Sequence, residues 1–133
     1  MYERDVEILR EGLQAFSDGD IERILQFTHP EFEAIVPAEL SPEPDTYRGH
    51  DGVRRYFASF AEAMEDIHFQ PERFWDAGDA VVVAMRMTAK GRQTSIEVEQ
   101  RFAQIWTLLD DKARSVRTFS SVRQALEAAG LAS

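Results

Sequence analysis

The second half of the chain alternates between strand-like segments and short polar turns, and this pattern restricts the fold more than any other feature. The strand-like segments cover residues 67–76, 80–89, 96–109 and 113–119. The turns between them are Ala77-Gly78-Asp79, a glycine-containing stretch at 90–94, and Asp110-Asp111-Lys112. Because short turns join strands that run in opposite directions, the pattern predicts an antiparallel sheet.

The first half of the chain is mainly helical, with apolar residues repeating at helical spacing in three segments. The three stripes are Val6, Leu9, Leu13 and Phe16, then Ile21, Ile24, Leu25 and Phe27, and finally Val53, Tyr56, Phe57, Phe60 and Met64. Gly19-Asp20 predicts the end of the first helix and the cap of the second. A short strand at 31–36 and a proline-rich loop at 37–45 precede the third.

A final helix is predicted by a capping box, Ser121 with Gln124, and by a glycine C-cap, Gly130 with Leu131. Helices beside a mostly antiparallel sheet make an α+β domain. We therefore predict a cone-shaped, curved sheet with helices packed on its concave face, as one domain over residues 1–133.

A histidine and an aspartate stand side by side where the third helix begins. His50-Asp51 lies between Gly49 and Gly52. Neighbouring residues do not face each other on a helix, so a catalytic dyad is disfavoured. We predict that one of the two side chains caps a helix beginning at Gly52-Val53.

Composition excludes several classes of function. The formal net charge is −9, which disfavours nucleic acid as a partner because phosphate binding needs clustered Lys and Arg. The chain has no cysteine, so disulfides and thiolate chemistry are excluded, and its three histidines lack metal-ligand spacing. We expect no metal, no cofactor and no membrane span, and a cytoplasmic location, since the N-terminal segment lacks the apolar stretch of a signal peptide.

Five segments, taken together in this order and spacing, resemble the SnoaL-like branch of the nuclear transport factor 2-like superfamily. They are FSDGD (16–20), YRGHDGVRRYF (47–57), DAGDAVVV (76–83), EVEQRFAQIWTLLDDK (97–112) and ALEAAGL (125–131). The resemblance implies a curved sheet, an apolar pocket at its open end and frequent dimers. It does not imply one reaction, because the family includes isomerases, epoxide hydrolases and polyketide cyclases.

The catalytic groups that the resemblance implies are not retained here. The tyrosine, base and acid positions of ketosteroid isomerase-like members fall near Gly12, Val36 and Gln104, and none carries the required group. Glu39 is the one substitute base, in a loop where solvation is the simpler interpretation.

The epoxide hydrolase and cyclase positions are equally altered. Where epoxide hydrolase-like members have an Arg-x-Asp sequence on one strand, this chain has Arg86-Met87-Thr88. Where they have a second aspartate on the last strand, this chain has Thr118. Threonine is neither a general acid nor a general base near neutral pH.

Polar residues within the apolar strands are the best site candidates. Along 97–109 the even positions are the more apolar, so we place them on the concave face. Gln100 and Gln104 interrupt this stripe, and each is either paired in the core or aimed into a cavity. Arg86, between two methionines, requires a carboxylate or a ligand if it points inward, and Glu33 is a candidate partner. Alternatively, Arg86 extends to solvent or forms a purely structural ion pair.

Three hypotheses remain open at this point. The chain is a pocket protein for an apolar small molecule, or an isomerase-, cyclase- or hydrolase-type enzyme acting on a steroid-, terpenoid- or polyketide-like substrate, or a dimeric structural module. The predicted ligand-binding residues are Phe16, Glu33, Tyr56, Arg86, Gln104, Trp106 and Thr118. A cavity of several hundred Å³ with Arg86 and Gln104 pointing into it favours the first two hypotheses, and a cone packed solid leaves only the third. A carboxylate or histidine within hydrogen-bond reach of the polar end of the cavity favours the enzyme.

Overall fold

The computed structural model describes residues 2–36 and 45–131, and it confirms the predicted α+β fold. The helices are α1 (Tyr2–Asp18), α2 (Ile21–Gln26), α3 (Gly49–Ala63) and α4 (Val122–Ala128). The strands are β1 (Thr28–Val36), β2 (Asp45–Arg48), β3 (Met64–Asp76), β4 (Val81–Gly91), β5 (Glu97–Leu109) and β6 (Lys112–Phe119). In the part of the chain that is described, no helix has the length and apolar content that crossing a bilayer requires.

The six strands form one curved sheet in the order β2-β1-β6-β5-β4-β3. The strands of the second half pair as antiparallel neighbours, as the short turns predict. β1 instead pairs with β6 in parallel, with Ala34 opposite Val116. This one parallel pair joins the early part of the chain to the late part and completes the sheet.

The pairing of β4 with β5 decides which side chains lie on each face of the sheet. Ten residue pairs follow one another without a register shift, from Val81 opposite Trp106 to Lys90 opposite Glu97. The even positions of β5 therefore share a face with the odd positions of β4. Buried Val83, Met85 and Phe102 on this face belong to the same apolar cluster as Leu13 of α1, so we call it the inner face.

α4 covers part of the opposite, outer face. Its Ala125 packs with Val82, Ala103 and Ile105, which point away from the inner face. The helices on the concave side are thus α1, α2 and α3, while α4 covers one end of the convex side. The rest of the outer face, along β3, β4 and β5, carries charged and polar side chains.

Aromatic rings join α1 to α3 and to the sheet. The Phe16 ring lies 5.3 Å from that of Phe57 and 4.8 Å from that of Phe69, both nearly edge-on. Phe60 of α3 lies 6.2 Å from Phe69 of β3 in a similar arrangement. Edge-on pairs contribute about 0.5–1.5 kcal/mol each beyond the area that they bury. These contacts hold the helical layer over the inner face.

The predicted N-cap of α2 and both predicted ends of α4 are confirmed. The Asp20 carboxylate accepts a hydrogen bond from the Arg23 backbone N–H at 3.2 Å and caps α2. Ser121 accepts from the Gln124 backbone N–H at 3.2 Å and caps α4. Gly130 follows α4 with a φ of +77° and donates to the Glu127 carbonyl, as a glycine C-cap does.

The prediction for the start of α3 was wrong. The helix begins at Gly49, its N-cap residue is Arg48, and no side chain caps it. Asp51 pairs with Arg54 at 3.2 Å, and His50 Nε2 lies 2.9 Å from the Thr28 carbonyl oxygen. His50 therefore ties α3 to the first residue of β1 instead of capping its own helix.

Several strand boundaries also differ from the sequence prediction, among them the start of β3, where Met64 was predicted to lie on the third helix. β1 starts at Thr28 and includes His29-Pro30, so it begins three residues before the predicted strand at 31–36. β2, at Asp45–Arg48, was not predicted, because four residues are too few for a clear alternation. The predicted proline-rich loop lies outside the described residues except for Asp45.

Gly52 provides a test of the close contact between α3 and β2. A Cβ atom at this position would lie 2.8 Å from the Tyr47 carbonyl carbon, which belongs to the backbone and has no room to move. We expect Gly52→Ala to lower the free energy of unfolding by about 1–3 kcal/mol, measured by urea denaturation.

Gly12→Ala is the matched control, because its Cβ would lie 3.8 Å from Phe27 Cβ, an ordinary contact. Alanine in a helix interior should raise stability by about 0.5–1 kcal/mol. Equal effects of the two substitutions would contradict the packing described here.

Candidate functional site

A cavity lies between the helical layer and the inner face of the sheet. Its volume is about 100 Å³, and its walls come from α1, α2, α3 and five of the strands. Leu9, Leu13, Phe32, Val53 and Val116 are typical of its apolar lining. The curvature of the sheet and the aromatic contacts between α1 and α3 create this space.

The structure brings five of the seven predicted site residues together around this cavity. They are Phe16, Tyr56, Gln104, Trp106 and Thr118. Sequence reasoning missed Gly12, Thr28 and Tyr47, which also line it. Gly12 and Thr28 lack a side chain that stands out in a sequence, and Tyr47 lies on the short strand that was not recognised.

Arg86 does not line the cavity, because its position in β4 faces outward. It lies opposite Arg101 of β5 and Gln70 of β3, on the outer face. Its guanidinium donates to Glu99 at 3.1 Å and to Gln70 at 3.0 Å. The hydrogen bond between Arg86 and Glu99 raises the pKa of Arg86 and lowers that of Glu99, and the attraction between their opposite charges adds to both shifts. The inward orientation considered from the sequence is wrong.

Glu33 is also outside the cavity. Its neighbours Phe32 and Ala34 point inward, so the two-residue period of β1 turns Glu33 outward. There it lies 3.5 Å from Arg48 of β2, and not near Arg86. The suggested Glu33–Arg86 pair is therefore wrong.

The polar end of the cavity is a chain of three side chains from β5 and β6. Trp106 Nε1 donates to Gln104 Oε1 at 3.0 Å, and Gln104 Nε2 donates to Thr118 Oγ1 at 3.3 Å. The indole N–H is only a donor, so it fixes which end of the Gln104 amide is oxygen. Gln104 itself is 8% exposed, and the two bonds hold its amide in one orientation.

Tyr56, from α3, lines the same cavity. Burial raises the pKa of this phenol well above its ordinary value of 10.0, and the neighbouring Tyr47 raises it further. Among the described residues none forms a hydrogen bond with the Tyr56 hydroxyl, yet it is not one of the fully enclosed unpaired atoms. Tyr56 is thus a protonated donor that remains reachable from the cavity.

A second, much smaller cavity of about 10 Å³ adjoins the first. Tyr56, Phe69 and Thr118 line both, and Gln100 lines only the smaller one. Gln100 has no hydrogen-bond partner among the described residues, although it lies on the inner face. The sequence left open whether the Gln100 amide is paired in the core or aimed into a cavity, and the structure favours the cavity.

The described walls of neither cavity contain an acidic or a basic residue. The residues that line them include no aspartate, glutamate, histidine, lysine or arginine. Gly12, Gln104 and Thr118, which occupy positions that the resemblance assigns to catalysis, do lie in the wall of the larger cavity. Glu39 and the Val36 side chain lie outside what the structure describes. No described group of three or more acidic residues or histidines is placed to hold a metal ion.

The raised pKa of Tyr56 makes stability depend on pH. Below pH 10 the phenol is protonated in both states. Above it the unfolded chain releases a proton that the folded chain retains, so stability falls as pH rises, by up to about 1.4 kcal/mol per pH unit. Urea denaturation from about pH 9 to pH 11.5 should show a steeper decline for the wild type than for Tyr56→Phe. Parallel declines would contradict the burial of this hydroxyl.

Solved structures share this fold over nearly the whole chain. TerC, co-crystallised with polyporic acid, is 24% identical with a TM-score of 0.78, covering 96% of this chain and 98% of its own. A hypothetical protein with a ketosteroid isomerase-like fold from Catenulispora acidiphila, in complex with trimethylamine, is 15% identical with a TM-score of 0.75, covering 94% of this chain and 93% of its own. The epoxide hydrolase/cyclase-like enzyme SalBIII, of pyran ring formation in salinomycin, is 21% identical with a TM-score of 0.75, over 91% and 93%.

The sequence comparison agrees with the structural one. No curated protein matches the chain significantly. The SnoaL-like domain family matches residues 9–116, a stretch that includes α2, α3 and the first five strands in full. Since this match spans most of the 133 residues, the chain belongs to the SnoaL-like domain family.

Proposed function

We propose that this protein binds an apolar small molecule in the cavity under α1–α3. The observation that carries the proposal is the cavity itself, apolar on most sides and polar at the Gln104–Thr118 end. Small-molecule sites generally combine an apolar lining with a few placed polar groups. Phe16, Tyr56, Gln104, Trp106 and Thr118 are the proposed contact residues, and Glu33 and Arg86 are left out because they face outward.

The volume suits a small ligand. Drug-sized ligands occupy about 300–1,000 Å³, whereas an engineered apolar cavity of about 150 Å³ in another protein binds benzene. At about 100 Å³ the cavity fits a compact molecule with a single ring. A steroid or a fused polyketide would require the helices to move outward.

Binding accounts for the site better than acid–base catalysis does. An isomerase, cyclase or hydrolase needs a group that accepts a proton near neutral pH. Among the described lining residues the titratable side chains are tyrosines, and the raised pKa of Tyr56 makes it a poor proton acceptor. The solved relatives that hold small molecules, TerC and the Catenulispora protein, support the binding role by analogy.

The two tryptophans of the chain provide a direct test. Trp106 lines the cavity, and Trp75 packs in the outer cluster beneath α4. Each indole N–H gives its own cross-peak in a ¹⁵N–¹H NMR spectrum. Benzene added to the ¹⁵N-labelled protein should shift the Trp106 peak in a saturable manner and leave the Trp75 peak in place. An unchanged Trp106 peak would remove the support for an accessible pocket.

Gly12→Leu checks that the cavity is the binding site. Gly12 lines the cavity on α1, so a leucine there should occupy its space and abolish the benzene-dependent shift. Gly12→Ala adds one methyl group at the same position and should weaken binding far less. Benzene binding that survives Gly12→Leu would place the site elsewhere.

We also propose that the protein forms a homodimer through the uncovered part of its outer face. Arg86 Nε is buried and is the one such side-chain atom, among the described residues, that lacks a partner. Around it, Glu72, Glu99 and Arg101 alternate in charge, with Arg101 Nε 3.3 Å from a Glu72 oxygen. A face that carries both positive and negative charges is complementary to the same face of a second copy related by a two-fold axis.

Charge reversal at Arg101 tests this dimer. Arg101→Glu puts a third carboxylate beside Glu72 and Glu99 and should shift the protein from dimer to monomer in analytical ultracentrifugation. Arg54→Glu, an exposed reversal on α3, is the matched control and should leave the dimer intact. A wild-type protein that is monomeric at high concentration would exclude the proposal.

A further inference from the structure

At the polar end of the cavity, hydrogen-bond donors outnumber the acceptors that the described residues offer them. The Gln104 amide nitrogen carries two hydrogens, and one of them is used on Thr118. The Thr118 oxygen accepts that bond, which leaves its own O–H without an acceptor among the described residues. The Tyr56 O–H likewise has no acceptor among the described residues.

The indole of Trp106 is responsible for this excess. Because its N–H can only donate, it holds Gln104 Oε1 and turns the NH₂ end toward Thr118. The reverse amide orientation would place two donors against each other at 3.0 Å. Thr28, the other hydroxyl in the wall, already donates to the Ile24 carbonyl at 2.8 Å and adds no free donor.

A buried donor without an acceptor is more costly than a lone pair without a donor. The polar end is therefore best satisfied by an oxygen that accepts hydrogen bonds. The raised pKa of Tyr56 maintains this property, since the phenol keeps its proton throughout the physiological range.

The charge of the ligand is restricted by the same walls. No described lining residue carries a charge, and the remainder of the surface is apolar. Moving an ion from water into such a cavity is costly unless an opposite charge compensates it. An anion would find donors there but no cation.

We propose, building on the function proposed above, that the ligand is a small uncharged molecule whose carbonyl-type oxygen accepts hydrogen bonds from Thr118, Gln104 and Tyr56. A single-ring ketone meets the requirements of size, charge and hydrogen bonding. A hydrocarbon of the same shape lacks the acceptor, and a ring carboxylate carries a charge that the walls do not compensate.

Two probes of nearly the same shape test this assignment. Cyclopentanone and methylenecyclopentane differ by an oxygen in place of a CH₂ group, and both can be titrated against the Trp106 indole cross-peak. Removing one donor by Thr118→Val should raise the Kd of cyclopentanone about five-fold, the loss of one neutral hydrogen bond. The Kd of methylenecyclopentane should stay the same or fall.

Thr107→Val is the matched control, because it is the same substitution on the outer face of the sheet. Thr107 forms a hydrogen bond with Ser115 and lines neither cavity. It should change neither Kd. Tyr56→Phe is the second test variant and should repeat the selective loss if Thr118→Val fails to fold.

Each outcome separates this inference from the proposed function. Suppose that methylenecyclopentane binds, and that the variants either raise the Kd of both probes equally or change neither Kd. The acceptor assignment is then overturned, while the pocket function stands. If cyclopentanecarboxylate binds the wild type more tightly than cyclopentanone, the restriction to uncharged ligands is overturned. If no probe shifts the Trp106 peak, the proposed function fails, and this inference fails with it.

Discussion

The unbroken register between β4 and β5 is the constraint on which the rest of the structure depends. Because it contains no bulge, every residue of the two strands is assigned to one face or the other without exception. Val83 and Gln104 face the helices together, and Arg86 faces away together with Arg101. A shift by one residue would turn over one strand relative to the other, and would place either Arg86 in the apolar cavity or Trp106 on the charged surface. The cavity, its polar end and the charged outer face all follow from this one alignment.

Much of this arrangement could be predicted from the sequence, because it depends on local spacing. Helical stripes, turn residues and the alternation along 97–109 identified the α+β fold and the inward position of Gln104 and Trp106. The orientation of Arg86 could not be obtained in the same way. Alternation showed that Arg86 and Val83 lie on opposite faces, but the choice of inner face for β4 requires its pairing with β5. Likewise, His50 was assigned to its own helix because its partner, the Thr28 carbonyl, is 22 residues away along the chain.

The site differs from the acid–base sites that its family resemblance implies, and the difference is chemical. Gly12, Gln104 and Thr118 occupy the wall of the cavity, so the space is retained while the titratable groups are not. Hydrogen-bond donors of fixed direction take their place. Such donors can orient a bound oxygen and can stabilise partial negative charge on it. Such donors cannot remove a proton from carbon, so the described walls of the cavity support the binding role proposed above.

The parallel pairing of β1 with β6 has a consequence for the order in which the molecule assembles. β3, β4 and β5 are consecutive and joined by short turns, so they can pair as soon as they exist. β1 must wait for a partner about eighty residues later, and closing so long a loop is entropically costly. Phe32 and Ala34 of β1 and Val116 and Thr118 of β6 all line the cavity. We therefore expect the ligand site to be among the last parts of the chain to form, so that a nascent chain on the ribosome has no binding capacity until β6 has emerged.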